Sequence, residues 1–139
     1  MNSINQELIN EFLNKKNTFA VIGVSKEPDK YGNKVYFDLK NAGYIVYPIN
    51  PNAGKISNDK CYPSLRNLPE KPDVVDIVVP PKITENIVKE CKDLNIKMVW
   101  MQPGSESKKA LLFCKENGIK TLHGICVMLE RKKKSKSEK

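Results

Sequence analysis

The chain has 139 residues, 40% of them apolar, and a formal charge of +8, which is enough for one ordinary domain with a core of its own. Its longest apolar runs, FAVIGV and VVDIVVPP, fall far short of the ~20 residues that cross a bilayer. The four cysteines (Cys61, Cys91, Cys114, Cys126) lack CxxC spacing and share the chain with a single histidine, so neither a membrane span nor a zinc centre is expected.

In chain order, the first element is an amphipathic helix with Ile4, Leu8, Ile9, Phe12 and Leu13 on one side. It has no secretory pattern, so a cytoplasmic chain with free thiols is expected, and its apolar stripe fits the domain's own sheet or a second subunit equally well. Strands follow at 19–24 (FAVIGV), 44–49 (YIVYPI), 74–79 (VVDIVV), 97–101 (KMVWM) and 119–122 (IKTL). Helical periods lie between them: 33–42 with Val35, Phe37 and Leu39; 82–94 with Ile83, Ile87, Val88, Cys91 and Leu94; and 105–117 with Ala110, Leu111, Leu112 and Cys114. Gly43 and Gly118 stand where left-handed helix caps are needed. The strands are apolar on both faces, as in a parallel sheet covered by helices on both sides. The expected fold is α/β: a doubly wound five-stranded parallel sheet in a three-layer α/β/α arrangement over residues 1–130. Residues 131–139, RKKKSKSEK, hold six cations and one anion, +5 of the +8, leaving +3 for the body, and read as a disordered basic tail.

Ligands of such sheets bind outside the carboxyl ends of the strands, so the residues leaving each strand are the candidates for function. They are Gly23, Val24 and Ser25 and the loop to Gly32; Asn50 and Pro51 and on to Lys55; Pro80 and Pro81; and Gln102, Pro103, Gly104, Ser105 and Glu106. Glycines, small hydroxyls and lysines at one crevice suit an anionic nucleotide. The first loop, Gly-x-Ser-x-x-Pro, departs from GxGxxG, and Asn50 stands where an NAD site places a carboxylate, so NAD(P) is disfavoured. The Walker pattern is missing as well.

The segments VIGVS, KYGNKV, LKNAGYIVYPINP, KCYPSLRNLP, PDVVDIVVPP, VWMQPGSES and HGICVMLE together resemble the small stand-alone CoA-binding proteins, Rossmann-like domains similar to the N-terminal domain of the succinyl-CoA synthetase alpha subunit. The resemblance covers roughly residues 15–130. It implies a CoA or acyl-CoA site with Gly23, Val24 and Ser25 near the diphosphate, Asn50, Pro51 and Lys55 beside the adenosine half, Val79, Pro80 and Pro81 flanking the pantetheine path, and Gln102 to Glu106 closing it. Lys26, Lys30, Lys34 and Lys55 are the candidate cations, each also readable as a solvated surface lysine. Pro80 and Pro81 double as strand terminators. Where many members carry arginines and a serine, this chain has VVPP and KYG, although VVPP resembles the Val-Pro-Ala segment of the synthetase alpha chains.

Those synthetases use a phosphorylated histidine in a second domain and an ATP-grasp partner, and 139 residues have room for neither. A non-catalytic binding or sensor module is expected. His123 reads as a packed or surface histidine. Cys126, a position where the resembling proteins also carry cysteine, is either a structural thiol or a reactive one. Two readings stay open beside it: an NAD(P)- or other nucleotide-dependent enzyme on the same fold, and an interaction protein whose tail meets nucleic acid. A homodimer or a protein partner stays open too.

Overall fold

The computed structural model describes residues 3–137, with side chains from 5 to 136. The Ile4 side chain of the predicted stripe and the last residues of the predicted tail, Glu138 and Lys139, lie outside the described residues. The elements are α1 (Ser3–Phe12), β1 (Thr18–Ile22), α2 (Tyr31–Asn41), β2 (Ile45–Ile49), a short hairpin of β3 (Lys55–Ile56) and β4 (Asp59–Lys60), a 3-10 turn Leu65–Asn67, β5 (Val74–Ile77), α3 (Pro81–Asp93), β6 (Met98–Met101), α4 (Lys108–Glu116), β7 (Lys120–His123) and α5 (Val127–Ser137). The five longer strands form one parallel sheet in the order β2-β1-β5-β6-β7. The chain thus leaves β1 in one direction and returns past it to β5, so the order reverses between β1 and β5, where a crevice opens at the carboxyl ends.

Alternation along the strands splits the core into two layers. Phe19, Val21, Val74, Trp100 and Leu122 face α1, α2 and α5, where they meet Ile9, Phe12, Leu39 and Val127. Ala20, Ile22, Val75, Ile77, Val99 and Met101 face Val88 and Cys91 of α3 and Ala110 and Cys114 of α4. The stripe of α1 therefore packs on the chain's own sheet, with the Phe12 ring edge-on to Trp100 at 5.9 Å, a geometry that adds ~1 kcal/mol to the burial itself. Along its outer side, Gln6 and Asn10 of α1 share a groove of about 310 Å³ with Lys133 and Lys134 of α5.

Three local features depart from the sequence reading. Helix α4 begins at Lys108 rather than 105, because the Ser107 side chain accepts the Ala110 N–H at 3.0 Å and caps it. The β3–β4 hairpin is held down by Asp59, whose carboxylate accepts from the Tyr36 hydroxyl at 2.7 Å and pairs with Lys40 at 2.5 Å; Lys40 first and then Tyr36 hold its carboxyl below the usual range. Helix α5 occupies most of the segment expected to be a disordered tail. Its anchor is Arg131, which makes a two-pronged pair with Asp38 of α2 (Nε–Oδ2 2.9 Å, Nη2–Oδ1 2.8 Å) at only 16% and 14% exposure. Arg131→Ala strands that carboxylate half-desolvated, and about 2 kcal/mol of stability should be lost. Urea denaturation measures it, and an unchanged midpoint would mean that α5 docks without the pair.

Candidate functional site

The crevice is framed by backbone that only glycine permits. Gly23, the residue after β1, has φ +99°, and a Cβ there would lie 2.8 Å from Val78 O and 2.9 Å from Val79 Cγ1, so the β1 turn backs directly onto the end of β5. Gly32, in the first turn of α2, sits so close that a Cβ would be 2.1 Å from Gly23 O. Read as sequence, the loop lacks the helix-packing glycine of the dinucleotide fingerprint; in the structure Gly32 performs that packing, four residues later than the motif would place it. Around these contacts the loop is tied by side-chain amides. Asn33 Nδ2 donates to Ser25 O at 2.8 Å, and Asn50 Nδ2 donates to Val24 O at 2.8 Å while its Oδ1 accepts the Asn52 N–H at 2.8 Å. No side chain caps α2, so its first-turn N–H groups are presented at the loop.

Beside this turn lies a cavity of about 340 Å³ lined by Ile22, Gly23, Ser25, Ile49, Asn50, Pro51, Asn52, Pro63, Ser64, Leu65, Val79, Ile83, Ile87 and Glu90. The lining is mainly apolar, with Ser25, Ser64 and the Asn50 and Asn52 amides as its neutral polar groups and Glu90 as its ionisable one. Arg66 ties the wall carrying Ser64 and Leu65 to α3, pairing with Glu90 at 3.5 Å and Asp93 at 3.4 Å.

Of the residues expected from the sequence, the structure brings Gly23, Ser25, Asn50, Pro51 and Val79 together in the lining. Val24 is fully buried beneath the turn. Pro80 and Pro81 are exposed where α3 starts, as its N-cap and first residue. Lys26 and Lys30 are exposed in the loop, Lys34 is exposed on α2, and Lys55 lies in the hairpin opposite Lys60. Pro103 and Gly104 are exposed; Ser105 is buried, its N–H donating to Gln102 O, and Glu106 Oε1 accepts the Gly104 N–H, so this stretch folds back on itself. The wall made of Pro63, Ser64 and Leu65 and the face made of Ile83, Ile87 and Glu90 were not assigned to the site from the sequence. The latter three share one side of α3 at i, i+4 and i+7, and that spacing was the available signal.

Gln102 is not among the residues that line this cavity. It is fully buried and belongs to a second polar cluster on the opposite side of the sheet. Its Nε2 donates to Asp76 Oδ1 at 2.7 Å, and its Oε1 accepts the Val127 N–H at 3.1 Å and lies 3.0 Å from the Tyr31 hydroxyl. That hydroxyl is also 2.8 Å from Cys126 Sγ. Asp76, within β5, is wholly buried; burial pushes its carboxyl up to about 7, against a smaller opposing effect of the Gln102 hydrogen bond. Its Oδ2 has no hydrogen-bond partner among the described residues. Cys126 is partly exposed, whereas Cys61, Cys91 and Cys114 are buried, and burial raises all three thiols, Cys114 to about 11. His123 is exposed at the end of β7. Among the described residues no group of His, Cys, Asp or Glu could hold a metal ion, and no helix is long and apolar enough to cross a membrane.

The sequence model of a family described as CoA binding domain matches residues 17–132. An ADP-forming acetate–CoA ligase II of Archaeoglobus fulgidus is 42% identical over 80 residues, 56% of this chain and 12% of the ligase, so the chain corresponds to a small part of that enzyme. Among solved structures, a hypothetical protein from Pyrococcus horikoshii superposes with a TM-score of 0.89 at 32% identity, covering 96% of this chain and 94% of the other. A conserved hypothetical protein from Pyrococcus furiosus gives 0.78 at 41% identity, covering 82% and 98%.

Proposed function

This chain belongs to the CoA binding domain family, and on that premise we propose that it binds CoA or an acyl-CoA at the carboxyl ends of its sheet, as a non-catalytic binding or sensor module. The observation that carries the reading is the switch-point turn, where Gly23 lies against Val78 and Val79 and beneath the first turn of α2, next to the apolar cavity. CoA has two chemically distinct parts, and this site has two matching ones. Its phosphates suit backbone N–H groups at a helix start, with Lys26, Lys30 and Lys34 near enough in sequence to add screened attraction. Its neutral arm suits a cavity walled by Ile22, Ile49, Leu65, Ile83 and Ile87. Asn50 contributes by ordering the turn, since both ends of its amide are engaged by backbone. Holding fits this lining better than turnover does: its one carboxylate, Glu90, is engaged by Arg66, and its hydroxyls at Ser25 and Ser64 have no base beside them in the lining.

Thermal-shift titration with CoA, acetyl-CoA, dephospho-CoA, NAD, NADPH and ATP tests the reading. CoA at about 100 times its Kd should stabilise the native state by about 2.7 kcal/mol, a rise of roughly 8–10 °C for a chain of this size. Dephospho-CoA should give a smaller rise at equal concentration if the 3′-phosphate is recognised. A rise with NAD or NADPH and none with CoA would sink the proposal.

A further inference from the structure

The polar cluster on the other side of the sheet is too organised to be packing alone. Tyr31 has one hydroxyl proton and two neighbours that can accept it, Gln102 Oε1 at 3.0 Å and Cys126 Sγ at 2.8 Å. With Cys126 a thiol, its S–H can donate to the phenolic oxygen while Tyr31 donates to Gln102. With Cys126 a thiolate, the hydroxyl turns to the sulfur and Gln102 Oε1 keeps the Val127 N–H. The sulfur can therefore lose its proton without leaving a buried acceptor unpaired. Cys126 also immediately precedes α5, its carbonyl accepting the Glu130 N–H at 3.1 Å, which sets the residue at the start of the helix. It is the partly exposed cysteine of the four. Independently of the thiol, the fully buried Asp76 in this cluster holds an oxygen, Oδ2, that no donor among the described residues satisfies.

Both features, a partly exposed sulfur and an unmet acceptor, match the far end of the pantetheine arm of CoA, which carries an amide donor and ends in a thiol, beyond the part of the arm held in the cavity. Tyr31 links the cluster to the proposed site, since it opens α2 directly beside Gly32, which packs on Gly23. From β1 to β7 the sheet edge spans three strand intervals, roughly 14 Å at ~4.8 Å each, a distance that an extended arm can cover.

Resting on the CoA reading above, we propose that Cys126 is a modification site that takes CoA into a mixed disulfide. The Cys126 thiolate attacks one sulfur of CoA disulfide. The S–S bond of that reagent breaks, a bond forms between Cys126 Sγ and a CoA sulfur, and the departing CoA thiolate takes up the proton that Cys126 gave up. Tyr31 is the positioning residue that holds the attacking sulfur.

The test mixes reduced full-length protein, freed of reductant, with CoA disulfide or glutathione disulfide and follows adducts by intact mass, with peptide mapping to locate them. Reversible CoA binding is measured in parallel on protein kept in reductant. The expected result is a single CoA adduct on Cys126 of the unaltered protein, released by dithiothreitol, absent from Cys126→Ser, and formed about tenfold more slowly by Tyr31→Phe. It should form at least ~10-fold faster from CoA disulfide than from glutathione disulfide, because binding presents the reagent. Binding in reductant without any adduct overturns the inference and leaves the CoA reading standing. Equal rates from the two disulfides, or an adduct on another cysteine, overturn it as well, whereas loss of both reversible binding and adduct strikes at the CoA reading itself.

Discussion

Gly32→Ala should abolish CoA binding at concentrations that saturate the unaltered protein and lower the unfolding free energy by about 2–3 kcal/mol. Helix propensity alone predicts the opposite sign, since alanine inside a helix gains ~1 kcal/mol over glycine. The contact decides. A Cβ at residue 32 would lie 2.1 Å from Gly23 O, 3.0 Å from Gly23 C and 3.3 Å from Val24 Cα, all of them backbone atoms with no flexible end to swing away. Gly23 cannot yield by turning, because its own φ of +99° and its closeness to Val78 O already fix it. The start of α2 must therefore move off the turn, taking with it the N–H groups assigned to the phosphates. Calorimetric titration and urea denaturation give the two numbers; a variant more stable than its parent, with an unchanged Kd, would falsify the proposed role of this contact.

The second large effect is a pH dependence that disappears in Asp76→Asn. In the unfolded chain the Asp76 carboxyl has its ordinary value of 3.8, and in the folded chain it is pushed up to about 7. Below pH ~4 the group is protonated in both states and burial costs nothing through ionisation. As the pH rises, the unfolded state ionises first, so stability falls from about pH 4 upward. The loss levels off above about pH 7 at roughly 4 kcal/mol. An asparagine keeps an oxygen for Gln102 Nε2 but cannot ionise. Its stability should lack this decline, so that the variant ranks lower relative to its parent at pH 4.5 than at pH 8. Urea midpoints at pH 4.5, 6 and 8 measure this; a constant difference between the two proteins would show that Asp76 does not titrate in this range.

The central strands are legible because both sides of each are buried: FAVIGV and VVDIVV leave no polar face for solvent, and β1 and β5 are covered on both sides, whereas the edge strands β2 and β7 carry exposed positions at Ile45, Lys120 and His123. Their ends are less so. Gly23 and Val24 extend the apolar run of β1 but belong to the turn, a distinction made by the backbone at φ +99°. The β3–β4 hairpin, with two-residue strands, is too short to show a period, and it depends on Asp59 reaching Tyr36 and Lys40. Helix α5 looks like a solvated tail because charges crowd it; what docks it is Val127 and an ion pair to a residue 93 positions earlier. In the site, the residues that work through backbone, such as Gly23 and Pro51, stand out in the sequence, whereas Leu65, Ile83 and Ile87 resemble any core residue until α3 and the preceding segment are placed. The side of the sheet that Gln102 takes follows from parity: Trp100 and Gln102 are two apart, and Trp100 faces α1.

Helices α1 and α5 share the groove of Gln6, Asn10, Lys133 and Lys134, so the first and last elements of the fold are neighbours. The Ser57–Asn58 bend of the hairpin is exposed and lies outside the five-stranded sheet, so residues inserted there would leave every long strand in place. The fold thus tolerates change at its margin, while the seam at Gly23 and Gly32, closed by backbone on both sides, has no room for a single carbon.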